Sequence, residues 1–306
     1  MFRVKFIMTM FALSVFFNAC NQKIERKIQI NETKTQNRLP SIPEEMYFAG
    51  EKIILKDWDI RERLDREILV NTYFQSATSL IIKRSHRWFP ILDQLLKKSN
   101  IHPDFKYLAV IESALVEQAT SHAGAQGFWQ FMPFTAKEFN LIINEEVDER
   151  LDVIKSTKAA CSYLLKANRT LKDWIMTAAS YNRGVHGVLA DKSWQKAKSY
   201  FDLEQNDETA RYVFRILAMK LILENPEKYG FNIPNEHRYP TLKVNSLLIK
   251  HSISNLSEWA LSKGINFKIL RKLNPWLKTT RLTIKNKYFT LLLPLNTENL
   301  KPYNNY

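Results

Sequence analysis

The chain has 306 residues, with 45 lysines and arginines against 31 acidic residues, a formal charge of +14, and 45% apolar residues that include 18 Phe, 12 Tyr and 7 Trp. That apolar content excludes global disorder, and the length suffices for one large core or two smaller ones. A basic chain suits nucleic acid, anionic lipid or an acidic polymer, but no zinc-finger cysteine set or arginine-rich tract supports the first of these.

Residues 1–20 have the layout of an export signal: Arg3 and Lys5 at the start, an apolar run over 8–17, then Asn18, Ala19 and Cys20. Ala19 before Cys20 resembles the lipobox of bacterial lipoproteins. Lipidation at Cys20 is therefore expected, with a periplasmic protein held at the outer membrane through this anchor. Export argues against nucleic acid as a partner. It also leaves Cys161 as the other cysteine, so no intrachain disulfide is expected. Loss of the signal would lower the formal charge to about +12. A polar tether is expected over 21–57, on the strength of the basic, aperiodic stretch 21–45 with Pro40 and Pro43.

A helix is predicted over 58–83, where Ile60, Leu64, Ile68, Leu69 and Tyr73 recur mainly at three-to-four spacing. A second is predicted over 88–96, before the Ser99-Asn100 break. Several helix-like segments follow over 104–224, giving a mostly helical domain at 58–235 that ends in the breaks at Asn225-Pro226 and Pro234-Asn235. Residues 236–306 read as a small α+β module. It comprises a strand or irregular apolar segment through Leu242, Val244, Leu247 and Ile249, a helix over 256–263 terminated by Gly264, a second over 267–273, and a strand over 288–293 before Pro294.

Three segments can carry chemistry. In the first, 105–115, a helix would put Leu108, Glu112 and Leu115 on one face. A carboxyl there would be partly dehydrated and would favour its protonated form, as an acid catalyst requires; a Glu reaching to water from an amphipathic edge is the bland alternative. The second, 121–133, sets Gly124 and Gly127 around Phe128, Trp129 and Gln130, residue types that can contact sugar rings and hydroxyls but equally fill a core. The third, 178–184, sets Tyr181 and Asn182 at a helix end closed by Gly184.

Order and spacing join these segments. Glu112-Ser113, the stretch 127–131 with Phe128 where the motif has leucine, Met132-Pro133 with Thr135, the stretches 147–150 and 179–184, and Glu208-Thr209 with Tyr212-Val213 together resemble the family of soluble-type and membrane-bound lytic transglycosylases over about 85–225. The resemblance implies a mainly α chain with a lysozyme-like helical catalytic domain. It also implies that Glu112 acts first as acid and then as base on the bond between N-acetylmuramic acid and N-acetylglucosamine in peptidoglycan glycan strands. The muramoyl C6 hydroxyl would then close a 1,6-anhydro end, so no second carboxylate need hold water. Ser113, Gln130, Tyr181, Asn182 and Tyr212 become candidates for orienting Glu112 or sugar, while Asp148, Glu149 and Asp152 are read as structural acids. No cofactor is implied, and no metal, since His102, His122 and His186 have no ligand-like spacing. The C-terminal module loosely resembles LysM without its Gly-Asp-Thr opening. It is expected to add wall affinity without catalytic groups, so that removing 239–306 would spare cleavage of short glycans; a packing-only accessory domain is the alternative reading of this unit. The rival functions are a lysozyme-like hydrolase and an inactive wall-binding lipoprotein.

Overall fold

The computed structural model describes residues 41–285 and 287–296, so the expected export signal, Cys20 and most of the expected tether lie outside the described residues. The last part of that tether is instead a hairpin. Strands β1 (Glu45–Phe48) and β2 (Glu51–Ile54) pair antiparallel across Ala49 and Gly50, both at positive φ, as a tight two-residue turn requires. Met46, Phe48, Ile53 and Leu55 are buried while Tyr47 and Ile54 between them are exposed, and Phe48 meets Phe105 edge to face at 5.3 Å. The alternation is too short on either side of the turn to stand out from its polar surroundings.

Helix α1 (Trp58–Tyr73) starts where the Asp57 carboxylate accepts from the N–H groups of Asp59 and Ile60. It stops ten residues before the predicted end, and α2 (Gln75–Lys98) then runs unbroken through Pro90. Local side-chain competition accompanies the break: Asn71 donates to the Glu67 carbonyl at 2.8 Å and the Thr78 hydroxyl to the Asn71 carbonyl at 2.6 Å. Helices α3 (Lys106–Ser113), α4 (Pro133–Glu138), α5 (Val153–Leu171), α6 (Trp174–Arg183), α7 (Val185–Gln195) and α8 (Asp207–Glu224) complete the helical domain. Small Thr177, Ala178, Ala179 and Ser180, all fully buried, let α6 sit centrally among α5, α7 and α8. Helix α8 also packs on α1 and α3, and the buried Glu67 ties it to α1 by accepting from Arg211 Nε at 2.7 Å.

The C-terminal elements lie where the apolar pattern puts them. β3 (Val244–Ile249) pairs antiparallel with β4 (Phe289–Pro294), and α9 (Leu256–Ser262) and α10 (Phe267–Leu273) intervene, with Gly264 at φ +73° between the helices. Trp276 stacks on Phe289 at 5.5 Å in a second core with Ile249, Leu256, Leu270 and Leu277. Val147, from the helical domain, is buried in this same core. The seam is continued by backbone: the Asp148 N–H donates to the Trp276 carbonyl and the Lys278 N–H to the Glu146 carbonyl, while Glu146 also accepts from Arg281 Nε at 2.8 Å and the Thr283 N–H at 2.7 Å. Among the described residues no helix is long and apolar enough to cross a membrane.

Candidate active site

Glu112 stands in the last turn of α3, whose following residues Ala114 and Leu115 both adopt left-handed φ (51° and 56°). The helix therefore ends before Leu115, which is buried but does not extend the helical face that the sequence spacing predicts. The setting of Glu112 comes from another element. Tyr212, on α8, donates its phenol O–H to Glu112 Oε1. Burial pushes the Glu112 carboxyl above the ordinary carboxylate range, and the exposed Glu208 adds to this, whereas the Tyr212 hydrogen bond and the Arg215 charge oppose it. The net direction is upward. Arg215 also donates to the Ile111 carbonyl at 3.2 Å, which places a cation beside the end of α3.

The loop after α3 is knitted by its own backbone and by Gln130. Gln130 sits at positive φ and donates through Nε2 to the carbonyls of Ala119 (3.1 Å) and Gly127 (2.8 Å). Gly127, at φ +81°, passes so close to the next segment that an added Cβ would stand 2.0 Å from the Arg150 carbonyl oxygen. Phe128 and Trp129 are fully buried rather than offered to sugar: Phe128 meets Trp88 edge to face at 5.0 Å, and Trp129 Nε1 donates to Thr157 Oγ1 at 2.9 Å. Tyr181 locks this loop to α6 by donating to the Trp129 carbonyl at 2.8 Å, and its ionisation is pushed well above the ordinary tyrosine range by burial and then by the Glu112 charge.

The expected orienting residues thus divide. Tyr212 touches Glu112 directly. Tyr181 lies close enough to feel its charge. Gln130 shapes the loop, and Asn182 is exposed at the end of α6, accepting from Thr209 Oγ1 at 3.1 Å. Ser113 turns away: it is buried and donates to the Ala109 carbonyl of its own helix at 3.0 Å.

The acids read as structural are all engaged elsewhere. Asp148 binds Arg150 through both carboxylate oxygens, at 2.9 and 2.7 Å, and Arg150 donates onward to the carbonyls of Gly124 and Phe131 and to Gln126 Oε1. Glu149 accepts from Lys155 and from the Ile142 N–H, and Asp152 caps α5. Sequence reasoning missed Arg150 as the loop's central donor and Arg215 as the cation near Glu112. The first lies within the stretch 147–150, and the second has no signal beyond standing one helical turn from Tyr212. Among the described residues no group of three or more His, Cys, Asp or Glu side chains is placed to hold a metal ion.

Residues 91–203 match the family model of the transglycosylase SLT domain, and residues 245–297 that of the soluble lytic transglycosylase C-terminal LysM-like domain. Membrane-bound lytic murein transglycosylase D of Escherichia coli (strain K12) is 26% identical over 247 residues, 79% of this chain and 53% of that protein. A putative tributyltin chloride resistance protein of Alteromonas sp. (strain M-1) is 28% identical over 191 residues, 61% of this chain and 91% of that protein. The X-ray structure of an inactive mutant of the lytic transglycosylase Slt from Pseudomonas aeruginosa aligns over 59% of this chain and 33% of its own, at 20% identity and a TM-score of 0.39. The chain spans about half the length of the curated Escherichia coli relative it matches.

Proposed function

We propose that this chain, which carries an SLT transglycosylase domain and a LysM-like C-terminal domain, cleaves the β-1,4 bond between N-acetylmuramic acid and N-acetylglucosamine in peptidoglycan and leaves 1,6-anhydromuramoyl ends. The observation that carries this reading is the Glu112–Tyr212 pair: a carboxyl whose burial favours the protonated form, beside a phenol that donates to its conjugate base. Protonated Glu112 delivers its proton to the glycosidic oxygen as the C1–O bond breaks and the N-acetylglucosamine end leaves. The resulting carboxylate, steadied by Tyr212, takes the proton of the muramoyl C6 hydroxyl as that oxygen bonds to C1. The proton returns to Glu112 and the cycle closes. An attacking group held in the same sugar has a high effective concentration, which favours it over water.

One observation favours a second reading. Glu208, in the first turn of α8, contributes its charge to the Glu112 environment and is exposed, so a water held by Glu208 would make the enzyme a hydrolase. Mass spectrometry of the products from purified sacculi separates the two readings, because an anhydro end is lighter than a reducing end by one water. Reducing ends alone would sink the transglycosylase reading, and no cleavage at all would leave an inactive wall-binding protein. The LysM-like module is assigned to glycan binding, and Cys20 to a lipid anchor facing the periplasm.

A further inference from the structure

Between the helical domain and the C-terminal module lies a cleft of about 290 Å³, away from Glu112. Its floor is apolar, built from Trp88 and Ile91 of α2, Val153 at the start of α5, and Leu273 and Trp276 at the end of α10 and just beyond it. Its rim is cationic. Lys155 there is committed, paired with Glu149 and lying over the Phe289 ring at 5.3 Å. Lys158 and Lys272 also line the cleft and are exposed, and among the described residues neither ammonium has an ion-pair or hydrogen-bond partner. Arg87 adds a third charge, its Nε donating to the Pro240 carbonyl at 3.1 Å. Of the two acids that line the cleft, Asp152 is occupied in capping α5, and Glu117 is left to meet an ammonium.

An apolar floor ringed by uncompensated cations selects a ligand with small aliphatic groups and several carboxylates. A neutral sugar ring would leave the lysines without counter-charge. A long acyl chain would leave the polar rim unmatched. We propose that this cleft binds the short acidic peptides that peptidoglycan strands carry, an inference that rests on the wall being the substrate as read above. The peptide's methyl groups lie on Trp88 and Val153, its carboxylates meet Lys158 and Lys272, and the side-chain amine of its diamino acid meets Glu117. The cleft adjoins the catalytic loop, since Trp88 packs on Phe128 and Glu117 follows α3 in the chain. Because Val147 and Trp276 belong to one core, the two walls hold a fixed relation to each other.

The test is calorimetric titration of the full chain with the free acidic tetrapeptide released from peptidoglycan by an amidase, alongside the same peptide with its carboxylates amidated. Saturable binding is expected for the acidic form, weaker by roughly tenfold or more for the amidated form and for a Lys158→Glu/Lys272→Glu double variant, and weakened by added salt. Both lysines are exposed, so the double variant is expected to keep the fold, which an unchanged melting temperature would verify. A Leu292→Trp variant, which fills the cleft from β4, should abolish binding whatever the charge. Equal affinity for acidic and amidated peptides, or for wild type and double variant, overturns the proposal. So does binding that appears only after residues 297–306 are removed, since the cleft would then belong to the chain's own end. Peptide binding is read without turnover: charge-dependent binding by a protein that fails to cleave sacculi would uphold the cleft and sink the enzymatic reading alone.

Discussion

Tyr212 and Glu112 stand 100 residues apart in the chain and are joined by a hydrogen bond from phenol to carboxylate. That bond favours the ionised carboxylate while burial disfavours it, so the two oppose each other in setting the proton affinity on which the proposed acid-then-base cycle would depend.

Replacing Glu112 by Gln keeps the shape and the acceptor for Tyr212 but removes the proton, and turnover on sacculi should fall by roughly 10² to 10⁴. The same change should stabilise the fold. A carboxyl whose folded pKa is raised costs stability as pH rises from the unfolded carboxylate value through the folded one, and the cost persists above it. The amide has no such cost, so the melting temperature at neutral pH should rise. Near wild-type turnover in the folded variant would remove Glu112 from the mechanism.

Tyr212→Phe deletes the donor to the carboxylate, so the Glu112 pKa should climb further and the alkaline limb of the rate profile should move to higher pH. The maximal rate should drop about 10- to 100-fold, the worth of a hydrogen bond to a charged group. Removing the Glu208 charge by Glu208→Gln should move the limb the opposite way, to lower pH. A rate loss with an unmoved limb would mean that Tyr212 acts only through packing.

Asp148→Asn should act on folding. It leaves Arg150, buried with its donors spread over Gly124, Gln126 and Phe131, without its counter-charge, and breaking such a pair costs about 3–5 kcal/mol. Urea unfolding would show the midpoint lowered. A full-stability variant with lost turnover would instead mark Asp148 as the second acid.

Removal of 239–306 was expected from the sequence to spare catalysis. The structure predicts otherwise, because the deletion uncovers Val147 and strips Glu146 and Asp148 of their partners on the far side of the seam. Since Asp148 and Arg150 hold the loop after α3 beside Glu112, the truncated protein should melt earlier and, on the proposed function, lose cleavage of short glycans together with wall binding. A truncation that cleaves short glycans at the full rate would show the seam to be dispensable.

Cys20→Ser should shift the protein from the membrane to the soluble fraction and remove an acyl mass detectable on the intact chain. Retention of both would place the anchor elsewhere.

The sequence by itself singled out Glu112 as the candidate acid and outlined the helical segments and all four elements of the C-terminal module, because motif order, helical period and strand alternation are local properties. It placed Tyr212 among the site residues only through resemblance. The tertiary structure made that residue the partner of Glu112, turned Ser113 back onto its own helix, drew Phe128 and Trp129 into the core and ended α3 before Leu115. It also gave Val147 to the second core, so that the accessory module packs against the segment carrying Asp148 and Arg150. Each of these depends on which surfaces meet across long stretches of chain: a helical or strand period marks the buried face of α8 or β4 but does not say that α3 or α10 covers it.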